Sequence, residues 1–414
     1  MRATKASSNR ETTAADQGGE RKRKLPRRGW TGRLSAAALL ILTLLILALA
    51  PPVRIRLKSY LTGNRAQAVS ARLARLFLAG RYRFYDVDPA MVWNNGRQID
   101  HSHVTVDFLS SVVLRTDSRS LLVFARFDQF GPEDPPRFVV SIDGGVSKPV
   151  LWRSVLMPQR LSLGAAGEHT IVIRANSLRY YEIGSPFPLK QNVITGFAVP
   201  AKYRISVKPE PVRRQILLTV TDSIGQGYGT PDPAHDAWTA RLADSGRWPG
   251  AVMNRGFVGA RLVDFCQGAV SCAAYAGDLD RDYPTAAAYY FALGTNDFGA
   301  GQKCAPPSLF AESLLSLLQV LHGRNPRAAL YLQTPLHRAD EARPNPCGNT
   351  LSQFRDAELR MSHTFSWITP IDGFSQPFPQ TTGDKSVFVD GVHLTVQGQE
   401  QYVHAVMQSL HLGY

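Results

Sequence analysis

Four short stretches in the C-terminal half place chemically capable residues at the ends of apolar runs. The first, Thr221-Asp222-Ser223-Ile224-Gly225-Gln226-Gly227-Tyr228-Gly229, directly follows QILLTV. A serine at a strand exit is where a nucleophile is presented, and nearby glycines let backbone N–H groups approach a substrate oxygen. Serine followed by glycines is equally the composition of a simple turn. Asn254-Arg255-Gly256-Phe257-Val258-Gly259 follows AVM, and Gly294-Thr295-Asn296-Asp297 follows AAAYYFAL. Each sets a small residue or a side-chain amide where a developing oxyanion needs fixed donors, although Gly and Asn also populate loops for reasons of their own. In Asp390-Gly391-Val392-His393-Leu394-Thr395 a carboxylate precedes an imidazole by three residues. At that spacing the carboxylate can accept the ring N–H and hold one tautomer, as a general base requires. The same pair would also serve as half of a metal site.

From residue 214 onward, strands and helices alternate. QILLTVTD, AVMN, TAAAYYFALG, RAALYLQT and SWITPID read as strands; AHDAWTARLADSG, PSLFAESLLSLLQVLHG, LSQFRDAELRMSH and VQGQEQYVHAVMQSLHL read as helices. Such alternation implies a parallel sheet covered on both faces, with its site at the C-terminal strand ends, where all four stretches fall. Residues 87–206 follow a different pattern, with short apolar or alternating runs (HVTVDFL, SVVLRT, LLVFARFD, RFVVSIDG, HTIVIRAN, NVITGFAV, YRISVKP) broken by Gly, Pro, Asp and Asn. That is the spacing of a β-sandwich or jelly roll. Met91, Trp93, His101 and His103 near its start receive no role. VKPEPVRR at 207–214 marks the boundary. In 54–86, Val69, Leu73, Leu76 and Phe77 recur at helical spacing, so a helical connector is expected, lying on a membrane surface or packed on the next domain.

At 414 residues the chain exceeds the roughly 250–300 at which one core stops growing, so two folded units are expected. A composition of 44% hydrophobic and 19% charged residues excludes a disordered or collagen-like chain. The net charge of +14 suggests nucleic acid until it is mapped. Residues 1–34 hold ten basic and three acidic residues, half of the whole excess, and no DNA-binding motif accompanies the remainder, so no nucleic-acid partner is expected. Ser35–Val53 follows as 19 residues without a charge, about 28 Å as a helix and close to the thickness of a bilayer core. With 1–34 basic, the positive-inside rule leaves that tail cytoplasmic, makes 35–53 a single-pass inner-membrane anchor and exports the rest to the periplasm. Ala48-Leu49-Ala50 offers the competing reading of a cleaved signal peptide, which exports the chain as well. The four cysteines lie in the exported part; two disulfides are expected, Cys266–Cys272 and Cys304–Cys347, out of three pairings. No CxxC pair is present, so no metal is expected.

The four stretches in this order resemble the SGNH (GDSL-like) hydrolases over residues 214–414, which implies a three-layer α/β/α domain. The resemblance implies Ser223 as nucleophile, His393 as general base and acid, and Asp390 as its orienter. It also implies an oxyanion hole built from the N–H of Ser223, the N–H of Gly256 and the side-chain amide of Asn296, with no cofactor. Asp297 is expected to bond backbone within its own loop. Thr221 stands where the family usually has Gly. A sandwich ahead of such a domain is similar to two-domain carbohydrate esterases that remove acetyl groups from polysaccharides such as xylan; His169-Thr170-Ile171-Val172-Ile173 and Thr195-Gly196-Phe197 look like pieces of that sandwich. The implied activity is removal of acyl groups, acetyl above all, from an acylated polysaccharide, in the setting of an exopolysaccharide export or modification complex. An O-acyltransferase, a lipid esterase or a thioesterase would use the same triad, and a non-catalytic polysaccharide-binding module is the remaining alternative.

Overall fold

The computed structural model describes residues 75–76, 78–87, 91–93, 97–100, 103–105, 110–127, 137–145, 148–151, 158–176, 192–207, 215–266, 269–282, 286–299, 304–380 and 383–412. All of them belong to one compact unit, Lys58–Tyr414. Among the described residues no helix is long and apolar enough to cross a membrane, and the expected tail and span at 1–53 lie outside them.

The β-rich region contains β1 (Tyr82–Tyr85), β2 (Val92–Trp93), β3 (Arg97–Asp100), β4 (His103–Thr105), β5 (Ser111–Thr116), β6 (Ser120–Phe127), β7 (Arg137–Ile142), β8 (Lys148–Leu151), β9 (Gln159–Ser162), β10 (His169–Ala175), β11 (Asn192–Pro200) and β12 (Ile205–Val207). They form two antiparallel sheets, β3-β4-β11-β6-β9 with β1 on β11, and β12-β5-β10-β7-β8 with β2 on β5. Alternation gives each strand one apolar face. Leu121, Val123, Ile194, Phe197 and Val199 of one sheet meet Val112, Leu114, Phe138, Val140, Ile171 and Ile173 of the other in one core. Most of the helical connector expected over 54–86, with Val69, Leu73 and Phe77, lies outside the described residues; at its end Tyr82–Tyr85 is a strand that pairs with β11, and Leu78 packs with Phe84 on Leu122 and Phe124. Alternating Tyr82, Phe84 and the arginines between them suit a sheet edge better than a helix.

The second half contains β13 (Ile216–Thr221), α1 (Pro233–Asp236), α2 (Trp238–Ser245), β14 (Ala251–Asn254), α3 (Leu262–Phe265), α4 (Ala269–Asp282), β15 (Ala286–Ala292), α5 (Thr295–Gly299), α6 (Pro307–Arg324), β16 (Ala329–Gln333), α7 (Leu351–His363), β17 (Ile368–Ile371) and α8 (Val396–Ser409). The strands form one parallel sheet in the order β14-β13-β15-β16-β17. Leu218, Val220, Tyr289 and Phe291 point into a core shared with α3, α4, α6 and α7, whereas Leu217, Ala288 and Tyr290 point into another shared with α2 and α8. This is a three-layer α/β/α domain, in which chain order reverses between β13 and β15 and opens a crevice at their C-terminal ends.

Two helical readings change. The run expected as one helix through 234–246 is broken at Ala237, which is extended (φ −56°, ψ 142°). The break frees Trp238 N–H to donate to Gln399 Oε1 and sets Ala237 against Gly227, where φ is +69° and a β-carbon would come within 2.9 Å of it. Helix α4 has no counterpart among the expected elements; its inward positions Cys272, Tyr275, Ala276 and Leu279 keep a helical period. Both expected disulfides, Cys266–Cys272 and Cys304–Cys347, are present.

The β-rich region closes on the loop that follows β13. Asn176, buried just after β10, donates to Asp232 at 2.6 Å and accepts from Ala234 N–H at 2.7 Å. Arg174 forks onto Asp244 with two 2.8 Å bonds, and Val139 packs with Ala234, Ala237 and Ala240. Contacts between the two sheet systems therefore bear on the segment carrying Ser223.

Candidate active site

Ser223 sits two residues beyond β13, at the reversal of chain order. The chain turns sharply there because Asp222 Oδ1 accepts Ile224 N–H at 2.9 Å, while Gln226 and Tyr228 N–H groups return to the carbonyls of Asp222 and Ser223. The outside of the turn is held by Asn254, whose Nδ2 donates to Gly225 O at 2.8 Å, and by Gln399, whose Nε2 donates to Ile224 O at 3.0 Å. Burial pushes the Asp222 carboxyl up to about 6, against the Ile224 N–H and the charges of His393 and Arg338.

Thr221 explains the neighbouring glycines. A β-carbon on Gly225 or Gly256 would lie 2.1 or 2.2 Å from Thr221 Oγ1, so the extra side chain at 221 fills space that both glycines leave open.

The fourth stretch brings its imidazole to the serine. Ser223 Oγ lies 3.0 Å from His393 Nε2, and His393 Nδ1 lies 2.7 Å from Asp390 Oδ2. Asp390 Oδ1 accepts the N–H groups of Val392 and His393 at 3.0 and 2.8 Å. Partial burial acts to raise the Asp390 carboxyl, but these N–H groups and the imidazole outweigh it and hold the group below the usual carboxylate range. An ionised Asp390 accepts a hydrogen bond from Nδ1–H and so keeps the ring proton on Nδ1, leaving the Nε2 lone pair toward the hydroxyl. Tyr228 covers the ring, its centroid 4.6 Å from that of His393. Beyond the histidine, Thr395 caps α8 by accepting Gly398 N–H at 3.1 Å.

The oxyanion-hole expectation needs one correction. Gly256 N–H is already spent on Asn254 Oδ1 at 2.6 Å, and Gly256 O receives Gln226 Nε2. Gly259, three residues on, keeps its N–H unspent. It has φ +79°, lies in a turn closed by Ala260 N–H to Phe257 O, and its own N–H finds no acceptor among the described residues. A β-carbon there would meet nothing within 4 Å. Asn296 adjoins this turn, because one of its amide hydrogens goes to Ala260 O at 3.1 Å while the other remains to be used. The second glycine of NRGFVG was visible in the sequence; that the first was occupied depends on how the Asn254 side chain folds back.

Asp297 also acts differently from expectation. It reaches out of its loop, and its two oxygens accept Leu262 and Val263 N–H at 3.0 Å each, at the start of α3. Burial pushes its carboxyl up to about 6. Glu358 of α7 is buried nearby with no hydrogen-bond partner on either oxygen among the described residues, and its carboxyl is raised well above 4.5, by burial first and by Asp297 second. A carboxyl raised by folding holds its proton while the unfolded chain ionises, so its contribution to stability falls as pH rises above about 4.5. Glu358→Met is expected to raise the melting temperature at pH ~8 by the equivalent of about 1–3 kcal/mol, the gain shrinking toward pH ~4. A lower melting temperature than wild type at pH ~8 in a thermal scan would contradict this account of Glu358.

Among solved structures, the chain is similar to a family two carbohydrate esterase from Cellvibrio japonicus, with 14% identity over 80% of this chain and 98% of that one and a TM-score of 0.58. It is similar to the acetyl xylan esterase Est2A from the rumen bacterium Butyrivibrio proteoclasticus, with 11% identity over 80% and 98% and a TM-score of 0.54. It is also similar to the salicylyl-acyltransferase SsfX3 from a tetracycline biosynthetic pathway, with 16% identity over 80% and 98% and a TM-score of 0.57. At these identities the likeness is one of fold, and it extends through the β-rich region as well as the α/β domain. No curated protein sequence matches the chain. Residues 222–401, which run from the residue before Ser223 to beyond His393, match the GDSL-like Lipase/Acylhydrolase family, and the α/β half of this chain is a domain of that family.

Proposed function

We propose that the protein is a carbohydrate esterase that removes O-acyl groups, acetyl above all, from a polysaccharide through a covalent acyl-enzyme. The observation that carries this reading is the continuous line from Ser223 Oγ to His393 Nε2 and from His393 Nδ1 to Asp390, at 3.0 and 2.7 Å. His393 takes the Ser223 proton as Oγ attacks the acyl carbon, then gives it to the departing sugar hydroxyl; water repeats the sequence to release the acid. The oxyanion is received by the N–H of Ser223, the N–H of Gly259 and the free amide hydrogen of Asn296. Asn296→Ala is therefore expected to lower kcat about 10²–10³-fold on an acetyl ester, measured by steady-state kinetics; a loss under about threefold would remove Asn296 from the hole.

The substrate class rests on the β-rich region joined to the hydrolase domain, an arrangement shared with structures named as carbohydrate esterases. The place of action rests on the uncharged run at 35–53 behind a basic tail, which supports an inner-membrane anchor with the active site in the periplasm, where exported polysaccharide passes. Acyl transfer to a sugar hydroxyl is the second reading, since one structure of this fold is named an acyltransferase and a hydroxyl can replace water in the second step. Acetate release from a panel of acetylated glycans by residues 54–414, with Ser223→Ala as control and acyl transfer to added sugar measured in parallel, tests both. Equal inertness of wild type and Ser223→Ala on every ester would defeat the proposal.

A further inference from the structure

Between β16 and α7 the chain has no regular helix or strand, yet it grips both sides of the site. Arg338 Nη1 donates to Thr295 O at 2.9 Å, one residue before Asn296, and the guanidinium lies 5.0 Å from the centroid of the Phe298 ring. It runs so close to α5 that a β-carbon on Gly299 would lie 2.5 Å from Nη1. Asp340 holds the rest of the fork through Nε and Nη2. Farther along, Asn345 Nδ2 donates to Phe298 O at 3.0 Å, and Cys347 is bonded to Cys304, five residues beyond α5.

The same segment holds the histidine turn. Ala339 N–H donates to Gly391 O at 2.8 Å, between Asp390 and His393. Gly391 has φ +80°, and a β-carbon there would lie 2.5 Å from the Ala339 side chain, so the two backbones are in direct contact. Adjacent residues, 338 and 339, thus fasten the element bearing Asn296 and the turn bearing His393.

A five-residue helix does not hold its own orientation, because so few of its backbone groups are bonded internally. Rotating α5 enough to swing the Asn296 amide away would break the Arg338 bond to Thr295 O. We propose that segment 338–347 is a brace setting the oxyanion donor Asn296 against the base His393, with Arg338 as its positioning residue. This rests on the esterase reading of the site. The guanidinium is also near enough to Asp222 for its charge to oppose the upward push of burial on that carboxyl.

The test compares Arg338→Met and Arg338→Lys with wild type and Ser223→Ala on p-nitrophenyl acetate, with amide exchange of Phe298 and melting temperature followed in parallel. Positioning of an oxyanion donor belongs to the transition state, so Arg338→Met should lower kcat about 10–100-fold with KM within about twofold. Lysine, which keeps the charge and one donor, should recover about tenfold of the loss. Phe298 N–H, bonded to Gly294 O, should exchange faster in Arg338→Met than in Arg338→Lys under conditions where both are fully folded. A kcat for Arg338→Met equal to wild type overturns the brace, as does a loss that lysine leaves unrelieved while Phe298 stays protected. Wild type no faster than Ser223→Ala defeats the esterase reading instead, and the Phe298 exchange then decides the brace by itself.

Discussion

Ser223→Ala is expected to lower kcat for an activated acetyl ester by about 10⁵–10⁶-fold. The hydroxyl 3.0 Å from His393 Nε2 is the only group that the reaction scheme makes covalent, and alanine offers nothing in its place. Residual catalysis comes from the donors and from substrate binding, which in comparable sites is worth about 10³–10⁴ over water. The fold should be untouched. The sharp turn is held by the carbonyl of Ser223, the side chain of Asp222 and the side chains of Asn254 and Gln399, all of which remain. A melting temperature equal to wild type beside the lost turnover separates chemistry from stability. Activity within about 10²-fold of wild type would mean that another group attacks the ester.

Asp390→Asn is expected to cost about 10⁴-fold in kcat with the backbone undisturbed. The asparagine carbonyl can still accept the N–H groups of Val392 and His393, so the turn keeps its shape. Its NH₂ group, however, faces Nδ1 in place of the acceptor oxygen. The ring then carries its proton on Nε2, where it can no longer take one from Ser223. Because the hydrogen bonds hold Asp390 below the ordinary carboxylate range, the wild-type pair should keep its orienter ionised well into mild acid. Loss of activity as pH falls through neutrality is therefore assigned away from this carboxylate. Steady-state kinetics across pH, with a structure of the variant, checks both statements; a loss under about tenfold would show that His393 is oriented by something else.

The residues of the triad were legible because two local cues survive in the sequence: a serine just past a buried strand, and a carboxylate three residues before a histidine. The parallel sheet was legible for the same reason, since Leu217, Leu218, Val220, Tyr289 and Phe291 are apolar on both faces. Side-chain folding hid other parts. Gly256 and Gly259 are equivalent by composition, and only the reach of Asn254 Oδ1 spends one of their N–H groups. Arg338 lies 43 residues from Thr295, and nothing in its neighbours announces that its guanidinium lies along α5. Gln399 looks like any polar position on an amphipathic helix until its amide is found bridging Trp238 N–H and Ile224 O. Helix α4 was missed because its buried positions, Cys272, Tyr275, Ala276 and Leu279, are separated by small and charged residues that leave only a weak apolar period.

Covalent capture of the serine tests the central claim most directly. A fluorophosphonate added to the folded protein should leave one phosphonyl adduct, on the peptide carrying Ser223 by mass spectrometry. The adduct should form slowly in Asp390→Asn and not at all in Ser223→Ala. An unmodified wild-type protein, or an adduct on any other residue, would contradict the account.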